Sequence, residues 1–171
     1  MESWGIDIAK EYHKFSAAHF LIFPDGTAER LHGHNYRVYV HVGADLGEQG
    51  LVIDFTMIKP VIRELVDRLD EHWLVPGTHP VLRYEHRADG VTEVRYEGRY
   101  YAAPTEDVVV LPINNTSSEN LATYLGRELR EMLAQRFPEV HLRSLRLAVE
   151  ETAGQRGVYV YRDDAGCGDA G

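Results

Sequence analysis

The chain has 171 residues, 44% of them hydrophobic and 26% charged, and a formal net charge of −9 at pH 7. That length suits one domain, residues 1–171, with an apolar core of its own. The acidic balance, without a Lys/Arg cluster, argues against nucleic acid or an anionic membrane as the main partner. No stretch approaches a membrane span, and the start of the chain does not follow the basic-then-apolar pattern of a leader. The single cysteine, Cys167, rules out an intrachain disulfide framework and suits a reducing compartment. The expectation is a cytoplasmic protein with a flexible Gly- and Asp-rich tail over 163–171.

In chain order, residues 5–21 carry strand-type residues and end in the small, crowded run Ser16-Ala17-Ala18-His19. A Pro-Asp-Gly turn signal at 24–26 then predicts an exposed loop. The next strand is expected over 35–43, and residues 51–55 are expected to close the hairpin or lead out of it. From Thr56 to Leu69 the apolar positions Met57, Ile58, Val61, Ile62, Leu65, Val66 and Leu69 form a helical stripe. Asp54 or Thr56 is placed to cap it, with Pro60 near the first turn. Short strand-like runs at 81–87, 91–96 and 99–103, separated by hairpin signals, read as a small antiparallel meander within an insertion over 75–113. A second helix is expected from about Thr116, with Thr116 and Glu119 as a capping box and Pro138 as the stop. Two final strands follow, over 144–150 and 157–162.

This order predicts an α+β fold: one four-stranded antiparallel sheet, two helices on one face, and the meander insertion. Open sheet edges also suggest a homo-oligomer.

The chemistry is expected around Glu29–Tyr36. His32 and His34 are two apart on a strand, so both imidazoles face the same side. Gly33 between them leaves the opposite side bare. With His19 as a third ligand and a fourth position open, the pattern is that of a catalytic zinc site rather than a structural one. Glu29 lies next to it as a carboxylate.

The blocks Phe15-Ser16-Ala17-Ala18-His19, Leu31-His32-Gly33-His34-Asn35-Tyr36, Val52-Ile53-Asp54-Phe55, Leu69-Asp70, Asn115-Thr116-Ser117-Ser118-Glu119 and Val149-Glu150-Glu151-Thr152 occur in this order. On these blocks the chain resembles the family of 6-pyruvoyl-tetrahydropterin and 6-carboxy-tetrahydropterin synthases, which has the tunnelling fold. The resemblance implies Zn2+ on His19, His32 and His34, a pterin substrate, and an oligomer, a hexamer by family habit. It implies that Glu151 grips the pterin ring, as a carboxylate accepting two parallel hydrogen bonds can. Ser117 and Ser118 fall where the family adds contacts to the ring, and helix capping is a compatible role for them.

Two departures shape the functional reading. Ala28 stands where these synthases carry a cysteine, and the family's Asp-His pair is here Asp70-Glu71-His72, so either His72 or Glu71 takes the histidine's part. Glu-x-x-His-Gly-His resembles a variant branch in which a glutamate, here Glu29, replaces the cysteine. That branch implies side-chain cleavage of 7,8-dihydroneopterin triphosphate to 6-hydroxymethyl-7,8-dihydropterin, a folate precursor. The alternatives are 6-carboxy- or 6-pyruvoyl-tetrahydropterin synthesis, the former belonging to the deazapurine (queuosine) side, and a non-catalytic pterin- or zinc-binding oligomer.

Overall fold

The computed structural model describes residues 2–163. The expected flexible tail over 163–171 lies outside them apart from Asp163, as does Cys167. The elements are β1 (Trp4–Ile8), β2 (Lys14–His19), β3 (His32–Ala44), α1 (Phe55–Asp67), β4 (His72–Pro76), β5 (Arg83–His86), β6 (Val91–Tyr96), β7 (Arg99–Pro104), β8 (Val108–Leu111), α2 (Ser118–Arg136), β9 (Leu142–Thr152) and β10 (Gln155–Arg162).

Among the described residues the fold is α+β with two α-helices, as expected, but the sheet is wider than four strands. Its order is β10-β9-β3-β2-β4-β8, with β1 pairing along β3 as well. The antiparallel strands β10, β9, β3 and β2 form one contiguous block from the sheet's edge inward, and β4 and β8 extend it by parallel pairing, β4 to β2 and β8 to β4. The expected continuous strand over 5–21 is instead β1 and β2, because the chain turns at 10–13, where His13 N–H donates to Lys10 O. The two pieces pair with successive parts of β3, β2 with 32–37 and β1 with 40–44.

Residues 51–55 form no strand. Val52 and Ile53 are buried in the core, and Asp54 caps α1 by accepting from Thr56 N–H at 2.7 Å. Alternation places Tyr36, Val38, Val40 and Val42 of β3 on the core side, and Leu145, Leu147 and Val149 of β9 join them against both helices. Helix α1 buries Ile58, Val61, Ile62, Leu65 and Val66; Met57, assigned to the same stripe, is 56% exposed. Burial of this kind is worth about 25 cal/mol per Å² of apolar surface, and it fixes the strand faces.

The ends of the 75–113 stretch belong to the main sheet, since β4 and β8 pair with each other there. The meander proper is the three-stranded sheet β5-β6-β7. It packs through a second core, in which Phe20, Ile22, Trp73 and Val75 meet Leu82, Val94 and Tyr96. Leu74 lies in the first core and Trp73 and Val75 in the second, so the meander covers the opposite face of β4 from the helices. Of its tyrosines, Tyr96 is buried and Tyr101 stacks on Phe20, whereas Tyr84 and Tyr100 are exposed.

Candidate active site

The histidines meet as the strand spacing requires. In the β2–β3 register His19 lies opposite His32, and Ala17 lies opposite His34. Gly33 permits this close approach: a Cβ there would stand 3.2 Å from Ala17 O. One ligand nitrogen from each of His19, His32 and His34 lies within 4.8 Å of the others.

Backbone carbonyls orient two of the three rings. His19 Nδ1–H donates to Thr116 O at 3.0 Å and His32 Nδ1–H to Arg30 O at 2.7 Å, which leaves each Nε2 as the free lone pair. His19 is fully buried, and its Nε2 makes no hydrogen bond although Glu151 Oε1 is 3.2 Å away. Burial pushes the His19 pKa below its ordinary value, against the opposing pulls of Thr116 O and Glu151. A neutral imidazole with an orphaned, inward nitrogen is the form a metal requires. The donor set therefore fits a metal ion, and three imidazoles suit zinc.

Two carboxylates border the cluster. Glu151, on β9, accepts a hydrogen bond from Tyr36 OH at 3.2 Å and lies 3.8 Å from His34 Nε2. Tyr36 is fully buried, and burial together with Glu151 holds its hydroxyl protonated far above the ordinary tyrosine range. Tyr36 is thus a fixed donor that aims Glu151. Glu29 Oε2 accepts from Leu21 N–H at 3.1 Å and lies 3.8 Å from His32 Nε2. Its Oε1 has no hydrogen-bond partner among the described residues.

The segment before α2 closes the pocket, and here the capping differs from the sequence expectation. Ser117, not Thr116, is the N-cap, accepting from Asn120 N–H at 3.3 Å. Thr116 is buried; its hydroxyl donates to Phe20 O at 3.0 Å while its carbonyl holds His19. Asn115 clamps Ile22 by accepting from its N–H and donating to its carbonyl. The Ser118 hydroxyl donates to Glu119, and neither serine bonds to Glu151. Hairpin β9–β10 is pressed onto this segment at Gly157, where a Cβ would stand 2.1 Å from the Ser118 carbonyl carbon.

Asp70, Glu71 and His72 are joined to β2 rather than to the histidine pocket. Asp70 Oδ1 accepts from Ser16 N–H at 2.7 Å, Glu71 N–H donates to Ser16 O at 2.7 Å, and His72 Nδ1–H donates to Asp70 O at 2.5 Å. Glu71 adopts φ 58°, a left-handed conformation uncommon for glutamate. Glu71 and His72 line a groove of about 560 Å³ that His34, Gly33 and Trp73 also line. Sequence reasoning missed Tyr36 and Thr116 as site residues. Tyr36 follows the strand parity of His32 and His34, a signal that was present; the Thr116 carbonyl leaves no trace in residue identity.

Fold and pocket together define an α+β protein with a three-histidine, two-carboxylate site. The model of the 6-pyruvoyl tetrahydropterin synthase family matches residues 7–162. A Methanocaldococcus jannaschii protein, provisionally named 6-carboxy-5,6,7,8-tetrahydropterin synthase, is 34% identical over 147 residues, 85% of this chain and 88% of its own. The solved 6-pyruvoyl tetrahydropterin synthase of Plasmodium vivax is 26% identical, with a TM-score of 0.88 over 95% of this chain and 100% of that one. A structure of the same Plasmodium enzyme with a catalytic residue changed from glutamate to alanine is 25% identical, again with a TM-score of 0.88 over 95% of this chain and 100% of that one. The chain belongs to the 6-pyruvoyl tetrahydropterin synthase family, whose members are pterin-synthase-type enzymes.

Proposed function

We propose that this protein is a zinc-dependent lyase that cleaves the side chain of 7,8-dihydroneopterin triphosphate to 6-hydroxymethyl-7,8-dihydropterin. The observation that carries the reading is Glu29: it stands beside His32 with one carboxylate oxygen fixed by Leu21 N–H and the other free to take a proton. The Plasmodium relative with a catalytic glutamate supports a carboxylate in this role.

His19, His32 and His34 would hold the metal. Bound there, zinc would supply Lewis-acid polarisation of the substrate's side-chain oxygens. Glu151, aimed by Tyr36, accepts hydrogen bonds from the 2-amino and N3–H groups of the pterin and so sets the ring's orientation. Glu29 takes the proton of the C2′ hydroxyl as the C1′–C2′ bond breaks. The C2′ carbon leaves as a two-carbon aldehyde triphosphate, and the bond's electron pair passes into the dihydropterin ring. Return of a proton to C1′ completes the hydroxymethyl group. Glu71 or His72, in the neighbouring groove, is the second proton-transfer candidate, with Asp70 as its partner. The Ser117 and Ser118 hydroxyls border the ring site from the start of α2. The working form is a cytoplasmic homo-oligomer, a hexamer by family habit.

A second reading, 6-carboxy-tetrahydropterin synthesis, is favoured by the name of the Methanocaldococcus relative; Ala28 in the cysteine position counts against it. Incubation of the zinc-loaded protein with 7,8-dihydroneopterin triphosphate, with products identified by mass, separates the two. 6-Hydroxymethyl-7,8-dihydropterin is the expected product, and 6-carboxy-tetrahydropterin would replace the first reading with the second. Pterin binding without turnover would leave a non-catalytic binding protein. Glu29→Ala is expected to abolish turnover while zinc stays bound, and full activity in that variant would remove Glu29 from the base's role.

A further inference from the structure

We infer that Arg99, on β7 of the meander, is a positioning residue for Glu29, and that the meander serves to hold the segment carrying that base. The inference deepens the reading of Glu29 given above and rests on it. The guanidinium of Arg99 donates to two consecutive carbonyls of that segment, Nη2 to Ala28 O at 2.6 Å and Nη1 to Glu29 O. Arg99 is half-buried and forms no ion pair with a carboxylate among the described residues. Its fork of donors is instead spent on backbone, where its planar geometry fixes direction as well as distance.

Other contacts converge on the same segment. Tyr96 OH donates to Gly26 O at 2.8 Å, and Ala28 packs on the second core, which the meander shares with Phe20 and Ile22. Glu29 N–H donates to Leu21 O at 3.0 Å, so both the amide and the carbonyl of Glu29 are tied. With the backbone fixed on both sides, Leu21 N–H can hold one carboxylate oxygen and present the other. Arg30, the next residue, uses its carbonyl to orient His32, so slack at Ala28–Glu29 would reach the histidine pocket through one peptide unit. Removing Arg99 leaves two carbonyls without their charged donor and frees the base to wander.

The test compares Arg99→Ala, Arg99→Lys and, as a control on the same meander, Arg95→Ala, whose side chain pairs with Glu93 and lies over Tyr100. Hydrogen exchange of residues 26–31 needs no substrate and reads the brace directly. Arg99→Ala is expected to speed exchange there by about tenfold or more, with an unchanged pattern in β9 and α2. In turnover, kcat should fall roughly 10- to 100-fold, the size expected for a catalytic group displaced by about 1 Å, with KM within about threefold. Arg99→Lys should recover part of both losses, and Arg95→Ala should show neither.

Unchanged exchange in Arg99→Ala overturns the brace. Faster exchange with an unchanged kcat, or an equal loss in Arg95→Ala, overturns the positioning role. Glu29→Gln run in parallel separates this from the parent reading. A Glu29→Gln enzyme at the wild-type rate would overturn the base assignment and the catalytic half of this inference with it, while exchange still decides the brace.

Discussion

His19 and His32 take their orientation from carbonyls of Thr116 and Arg30, and Glu151 takes its from Tyr36, so β2, β3, β9 and the lead into α2 all contribute to one pocket. Asp70, Glu71 and His72 are tied to one another, to Ser16 and Ala17 of the adjacent strand and, through the Asp70 amide, to the end of α1. The first group is preorganised within a single chain, its ligand nitrogens already facing one another. The second is rigid in backbone but presents Glu71 and His72 to an open groove. The contrast teaches that side chains converging on one point draw support from several elements, whereas side chains facing an open groove need only a fixed backbone.

The largest effect that would test this division is on turnover. Glu29→Ala should lower kcat by roughly 10² to 10⁴, the usual worth of a general base. Glu71→Ala and His72→Gln should differ sharply from each other. The member of the pair that carries a proton should show a loss of the same class, and the other should stay within about threefold. If both are silent, proton transfer belongs to the histidine pocket alone. Zinc content, measured by elemental analysis, should survive all three changes and fall in His19→Ala.

A smaller effect falls on stability. Gly157→Ala drives a methyl group into the backbone of Ser118 and Glu119, so unfolding in denaturant should show a loss of about 1–3 kcal/mol, the range for overpacking. Gly90→Ala provides a reference of different origin. It has open space around it but a φ of 81°, so only backbone strain should count against it. Smallest of all, Tyr36→Phe removes one donor to Glu151 and should raise KM about fivefold, roughly 1 kcal/mol, with kcat little changed. A fall in kcat equal to that of Glu29→Ala would show that Tyr36 acts on the reaction and not only on the ring.

Both helices, the strand bearing His32 and His34, and the meander's three strands were legible because periodicity and turn chemistry are local. What was not legible depended on partners far along the chain. The parallel pairing of β4 with β2 and β8 has no sequence signature of its own, so a four-stranded sheet was expected where a wider one exists. The break between β1 and β2 was hidden by continuous strand-type residues. Thr116 read naturally as a helix cap, yet burial against Phe20 claims its hydroxyl and passes the cap to Ser117. Arg99 carried no signal beyond its place at the start of a strand-like run, since nothing local marks its reach to residues 70 and 71 positions away.

Those long reaches also bear on how the pocket comes into being. The contact of His19 with Thr116 spans 97 residues and that of Tyr36 with Glu151 spans 115. Closing loops of such length is slow and entropically costly, so these contacts cannot form ahead of the sheet that brings the strands together. A nascent chain that has emerged as far as β3 possesses all three histidines but neither Thr116 nor Glu151. The pocket thus arrives as a product of global folding: ordering of His19 would report that the lead into α2 has docked, and ordering of Tyr36 against Glu151 that the last hairpin has.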